Sequence, residues 1–267
     1  VDAVITYGRD YPDPFDPGPV PGEIKRLSTV TLNEVTTPDV PQLTSRNALP
    51  LYRGHLAAIV GPGESGKSWI GCHATLDVAE QDRAVLVLDG EMSAPAWRYR
   101  LVALGAADQH LTKVHYAEMS AESADIDLIR ATVADLGITL IVWDSALSLI
   151  SRIARSENDN AEVSRVYDRL RAIVRDGPAG LIVDHVAAGS ASMISRGATA
   201  KFNALDLAYG VKLPEGSIPG PISDWTTTVT VEKDRHGLLA NRDDREALFH
   251  PLGRSWPRPR PHRDHRR

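Results

Sequence analysis

The sequence predicts an α/β fold: a mainly parallel sheet flanked by helices, with antiparallel strands added at its C-terminal end. Three observations predict it. Short, wholly apolar runs alternate with segments of helical periodicity through the middle of the chain. A glycine-rich loop joins the first of these runs to the first helix. The final third switches to strict two-residue alternation. Strand, helix and strand in succession need a crossover, and within one sheet a crossover gives parallel strands covered by helices.

The first 43 residues read as a lead-in or linker, since Tyr11–Gly22 holds five prolines in twelve positions and is extended or polyproline-like. From Thr44 to about residue 250 the pattern is that of one domain. Leu56–Val60, Ala84–Leu88, Ile138–Trp143 and Leu181–Val183 are expected as strands buried on both faces. Between them, Ile126, Ile129, Val133 and Leu136 step by three and four, as do Val163, Val166, Leu170 and Ile173, so both segments are expected as helices. Leu205, Leu207, Tyr209, Val211 and Leu213 alternate with small or polar residues, and Trp225, Thr227, Val229 and Val231 repeat the pattern. These predict half-exposed antiparallel strands. Residues 251–267 are a basic tail whose prolines at 257, 259 and 261 forbid a helix.

Composition narrows the function classes. Hydrophobic residues make up 42% and charged residues 24%, enough for a sizeable core. The single cysteine, Cys72, excludes an internal disulfide and fits a reducing compartment, and no apolar run reaches membrane-spanning length. A cytoplasmic protein with no membrane partner is expected, since the start also lacks a signal-peptide plan. The net charge of −5 divides into +5 on Arg254–Arg267 and −10 on the rest. A basic tail can meet nucleic acid or an acidic partner, or be simply solvated.

Gly61, Pro62, Gly63, Glu64, Ser65, Gly66, Lys67 and Ser68 satisfy G-x-x-x-x-G-K-[ST] in the right setting, with an apolar strand before and a helix beginning near Trp69 after. Glycines let backbone N–H groups turn inward and approach a phosphate, and the helix N-terminus adds a positive field. Lys67 is expected at the β- and γ-phosphates of ATP and Ser68 at Mg²⁺. The metal also needs a carboxylate at a strand end. Asp144, after the longer buried run, is preferred over Asp184, and Ser145 beside it is a further contact. Attack on the γ-phosphate needs a base, but Ser145 stands where a glutamate often follows the metal aspartate. Glu91, at the end of Ala84-Val-Leu-Val-Leu-Asp-Gly-Glu, is the expected base. A glutamate opposing a helix dipole is the plainer alternative.

The order of phosphate loop, Asp-Gly-Glu-Met, apolar run ending in Trp-Asp-Ser, Val-Asp-His and Glu-Lys-Asp-Arg-His-Gly resembles the RepA-type hexameric helicases. These group with the DnaB-type ring helicases in the RecA-like P-loop ATPase class. The resemblance covers about Thr44–Ala240. It implies a RecA-like core, Glu91 as the hydrolytic glutamate, Arg100 near the nucleotide base, and His185 as the sensor of γ-phosphate state. It further implies Lys233 and Arg235 as a pair reaching a neighbouring subunit's nucleotide within a homo-oligomeric ring of six. Period-2 geometry puts that pair on one face of a strand, so both can address one anion, although a solvated edge-strand pair has the same pattern. Single-stranded DNA would be held by loops Ala146–Asn158 and Val186–Lys201, which offer Arg152, Arg155, Arg196 and Lys201. The expected function is therefore an ATP-hydrolysing, single-stranded-DNA translocating replicative helicase. A RecA-like ATPase acting as a non-unwinding switch is the alternative.

Overall fold

The computed structural model describes residues 42–45, 48–120, 125–153, 160–175, 177–186, 199–214, 216–220, 225–237, 239 and 246–249, all within the unit Val40–Arg267. Its apolar runs become central strands because alternate residues serve opposite faces. In β1 (Leu56–Gly61), Ala57 and Ile59 enter one core while Leu56 and Ala58 enter another. In β4 (Ile138–Asp144), Leu140 and Val142 join the first core, and Ile141 and Trp143 the second. A strand with no polar face must be covered on both sides. Helix α1 (Lys67–Glu80) and α2 (Ala94–Ala103) supply Ile70, Leu76, Trp97 and Leu101 to the first core. The second core receives Ile129 from α4 (Ile126–Leu136), Leu149 from α5 (Ala146–Ile153) and Leu170 from α6 (Asn160–Arg175).

The remaining elements are β2 (Ala84–Asp89), α3 (Asp108–Leu111), β3 (Val114–Glu118), β5 (Ala179–His185), α7 (Thr199–Ala204), β6 (Leu207–Lys212), β7 (Thr227–Asp234) and β8 (Glu246–Phe249). Among the described residues the sheet has eight strands in the order β3-β2-β4-β5-β1-β6-β7-β8. The first six run parallel, and β7 and β8 add antiparallel pairings. The expected α/β sheet with antiparallel C-terminal strands is thus the observed one.

Both periodic helices form. Asp125 caps α4 by accepting from the N–H groups of Asp127 and Leu128, and Gly137, at φ 61°, ends it. All four apolar positions of α6 are buried.

Three expectations need correction. The run 207–211 is not half exposed: every residue of it is buried, because Leu207, Tyr209 and Val211 enter the first core on one face and Ala208 enters the second on the other, and β6 pairs parallel with β1 as well as antiparallel with β7. Tyr209 hides within the alternation by donating its hydroxyl to the Pro50 carbonyl. The loop expected from Ala146 begins instead as α5, since Ala146, Leu149 and Ile150 fall on one buried helical face. Likewise the loop expected up to Lys201 ends in α7. Strand β7 does keep the expected alternation, with Thr227, Val229 and Val231 buried, but it is not an edge, because β8 pairs with Thr227–Thr230.

The sheet's register assembles the site. Asp89 pairs with Asp144, Asp144 with Val183, and His185 with Gly61. The C-terminal ends of β2, β4, β5 and β1 therefore stand along one edge.

Candidate active site

At that edge the phosphate loop leaves β1 and enters α1. Gly66 takes φ 91°, and a Cβ there would lie 2.7 and 2.8 Å from ring atoms of Trp225, so only glycine fits. A Cβ on Gly61 would stand 2.6 Å from the Val211 carbonyl oxygen. The hairpin strand β7 supports the loop from beneath: Thr227 donates to the Ser65 carbonyl at 3.3 Å, and Trp225 meets Trp69 edge-on with ring centroids 6.4 Å apart. The Arg100 guanidinium lies over the Trp69 ring at 5.1 Å, a cation–π contact that brings α2 to the start of α1.

The Lys67 ammonium donates to the Pro62 carbonyl and to the Ser65 hydroxyl. Burial pulls its pKa down to about 8, against the carboxylates of Asp144, Glu91 and Asp184, which push it up. Burial likewise pushes the Asp144 carboxyl up to about 7. The Ser68 hydroxyl opposes that shift, while Glu91 and Asp89 add to it. Neither Asp144 oxygen nor the Ser145 hydroxyl makes a protein hydrogen bond of ordinary length and angle, although all three are buried. Buried oxygens of this kind are costly unless something cationic satisfies them. Asp144, Ser145 and Ser68 thus fit a divalent ion. Among the described residues no cluster of three or more His, Cys, Asp or Glu side chains could hold a metal. An ion here would take its other ligands from phosphate and water, as Mg²⁺ does at phosphate sites.

Glu91 follows the end of β2, and His185 ends β5. Their side chains meet, with His185 Nε2 at 3.1 Å and 3.3 Å from the two carboxylate oxygens of Glu91. Glu91 and His185 line one open cleft together with Glu64, Lys67, Ser68, Trp69, Arg100, Ile218 and Pro219. A phosphate cradle, an ammonium and a glutamate–histidine pair in one cleft, with the unsatisfied Asp144 carboxylate buried at the end of the neighbouring strand, is equipment for phosphoryl transfer from a nucleotide.

Residues 23–191 match the family model described as the AAA domain. The chain belongs to that family. As an AAA domain it is a nucleotide-binding P-loop ATPase, and the match takes in the phosphate loop, Glu91, Asp144 and His185 together. The family match is compatible with the RepA-type resemblance but not specific to it.

Other expected site residues of the AAA domain lie elsewhere. Lys233 and Arg235 sit at the opposite edge of the sheet from the cleft, where Asp234 pairs with Leu207 and Leu207 with Ala57 near the start of β1. Ala57 lies four residues before Gly61 in β1, roughly 13 Å along the strand at about 3.3 Å per residue. Both cations turn onto the end of α7. Lys233 donates to the carbonyls of Phe202 (2.6 Å) and Asn203 (3.2 Å) and lies over the Phe202 ring. Arg235 donates to the Asn203 carbonyl and stands 3.8 Å from Asp206. Burial lowers the Lys233 pKa, and neighbouring Arg235 lowers it further. Lys201 pairs with Asp184 at 3.2 Å. Arg152 is exposed and donates to the Ser148 carbonyl at 2.7 Å. Arg155 and Arg196 lie outside the described residues, as do residues 1–41 and 250–267. No described helix is long and apolar enough to cross a membrane.

Sequence reasoning missed Ile218 and Pro219 in the cleft lining and the support of Glu91. Ile218 and Pro219 stand in a stretch, Pro-Glu-Gly-Ser-Ile-Pro-Gly-Pro, that reads only as a chain breaker. Asp89 and Tyr116 carry no familiar motif, although Asp89 is the first letter of Asp-Gly-Glu.

Proposed function

We propose that the chain is a cytoplasmic, ATP-hydrolysing replicative helicase subunit of plasmid or phage type. It translocates on single-stranded DNA within a homo-oligomeric ring, with Lys233 and Arg235 completing the nucleotide site of the neighbouring copy. The observation that carries this reading is the placement of those two cations. They share one direction, as Lys233 and Arg235 both meet the end of α7, yet they stand at the sheet edge away from their own phosphate loop. In this reading they leave the α7 carbonyls they now engage and act on the nucleotide of a neighbouring copy.

In this reading Gly61–Ser68 hold the phosphates of ATP through their amides, and Lys67 neutralises the transferring group. Ser68 and Asp144 would hold Mg²⁺, which would supply positive charge to neutralise the phosphates. Glu91 orients the attacking water and accepts its proton. His185, hydrogen-bonded to Glu91, senses whether the γ-phosphate is present and passes that state into the segment after β5. Arg100 and Trp69 stand beside the nucleotide base. Arg152, Arg155, Arg196 and Lys201 are the cations offered to DNA.

One observation favours the second reading, a non-unwinding ATPase switch: Lys201 is engaged by Asp184 rather than free for phosphate. The test is ATPase rate with and without single-stranded DNA, run beside strand displacement on a forked duplex. Stimulation by DNA together with displacement supports the helicase. Turnover without either response supports the switch. Lys67→Ala should abolish turnover in both cases, and unimpaired hydrolysis by that variant would remove the whole reading.

A further inference from the structure

We infer that Asp89 and Tyr116 are positioning residues that aim Glu91 into the cleft, an inference that rests on the hydrolytic role proposed for Glu91. Asp89 is the last residue of β2 and 2% exposed. Its Oδ1 accepts from the backbone N–H of Glu91 at 3.0 Å and of Met92 at 3.1 Å, and its Oδ2 lies 3.2 Å from the Met92 nitrogen. Oδ2 also accepts the Tyr116 hydroxyl at 2.9 Å. A buried aspartate whose oxygens are committed to the next two backbone amides closes a turn, here the one that carries Glu91.

That turn is held from other directions as well. The Gly90 N–H donates to the Asp144 carbonyl at 2.6 Å, tying it to the strand that bears the metal carboxylate. The Met119 N–H donates to the Asp89 carbonyl at 2.6 Å, tying it to the end of β3. A Cβ on Gly90 would lie 2.5 Å from Ser148 Cβ, so α5 packs directly against the turn. The turn is thus clamped by its neighbours, and Glu91 leaves it only on the cleft side, where it meets His185. From strand β3, Tyr116 locks the second oxygen of Asp89 and so keeps the first aligned on the turn.

The chemistry needs such a clamp. A base must come within about 2.6–3.2 Å of the water it deprotonates, and a displacement of about 1 Å can cost roughly 100-fold in rate. Asp89 touches neither water nor phosphate in this scheme and acts through Glu91.

The test compares Asp89→Ala, Asp89→Asn, Tyr116→Phe, Glu91→Gln and the double variant Asp89→Ala/Glu91→Gln in the full chain. ATP turnover is followed alongside ATP affinity and thermal unfolding. Asp89→Ala should lower kcat by about 100-fold while ATP affinity stays within about threefold. Asp89→Asn, which keeps an oxygen for the two amides, should recover at least a tenth of the wild-type rate. Tyr116→Phe should lower kcat by about tenfold. The double variant should be no slower than Glu91→Gln alone, because a residue acting only through Glu91 has nothing left to position. A wild-type rate in folded Asp89→Ala, or additive losses in the double variant, overturns the inference while leaving Glu91 its role. Undiminished turnover by Glu91→Gln overturns the role and the inference together. If Asp89→Ala does not fold, Asp89→Asn and Tyr116→Phe decide: an unchanged kcat in Tyr116→Phe, or loss of affinity in step with kcat in both, overturns it.

Discussion

A methyl group on Gly66 has nowhere to go. Its φ of 91° is unfavourable to any side chain, and the Trp225 ring already fills the space a Cβ would take. Gly66→Ala should therefore weaken ATP binding by tenfold or more in a nucleotide titration. Adding Trp225→Ala should recover only part of the loss, because it relieves the contact and not the backbone strain. Full binding by the single variant would show that the loop rearranges freely. Cys72, on the same helix, presents the opposite case. It is fully buried, and burial pushes its thiol pKa well above the usual range. It should resist alkylation in the native protein and react only as the helix opens, so rapid stoichiometric labelling without denaturant would contradict its placement. The residues legible from sequence were those whose chemistry fixes a local pattern: the phosphate loop, whose glycines and lysine have no cheaper explanation, and Glu91 at a strand end. Asp89 was not legible, because its role lies in two backbone amides and a tyrosine 27 residues on, which no spacing announces.

At the scale of elements, α7 is the connection between the two sheet edges. Its Lys201 reaches back to Asp184, beside His185 at the cleft, while its terminal carbonyls receive Lys233 and Arg235. The Lys201–Asp184 pair is largely buried, with side chains 17% and 11% exposed. Removing one member leaves a charge poorly solvated, a loss falling between the values for exposed and for fully buried pairs, or roughly 1–3 kcal/mol. Lys201→Met should lower the urea midpoint accordingly with an unchanged slope, and Asp184→Asn/Lys201→Met should regain most of it. No change in the single variant would mean the pair is idle. Elements were legible where both faces are buried, since β1, β2, β4 and β5 need continuous apolar runs. They were misread where packing overrules pattern. Alternation in 207–211 suggested a solvated face, but Ala208 on that face packs into the second core and Gly210 is buried as well. Strand β3 has only Val114, Tyr116 and Ala117 to mark it, and among the described residues it pairs with β2 alone.

For the whole molecule, the decisive separation is between a cleft at one edge and a basic pair at the other. In the proposed assembly each active centre is built from two copies. Arg235→Ala should then bind ATP and fail to turn it over, since an arginine supplied from a neighbour is worth roughly 10³–10⁵ in rate. Mixing it with Lys67→Ala should restore part of the turnover, because some interfaces then pair an intact loop with an intact arginine. No recovery across mixing ratios would assign Lys233 and Arg235 to bracing α7 alone. A head-to-tail contact of the kind a ring requires has a further consequence: two copies joined by it leave one site incomplete, unlike a two-fold pair, which completes both. Any open chain leaves a receptive end and a donating end, and only a closed circuit, or a filament without limit, employs every copy. Specific activity should therefore climb with protein concentration until the circuit shuts, and a population trapped as dimers would run at no more than half its capacity.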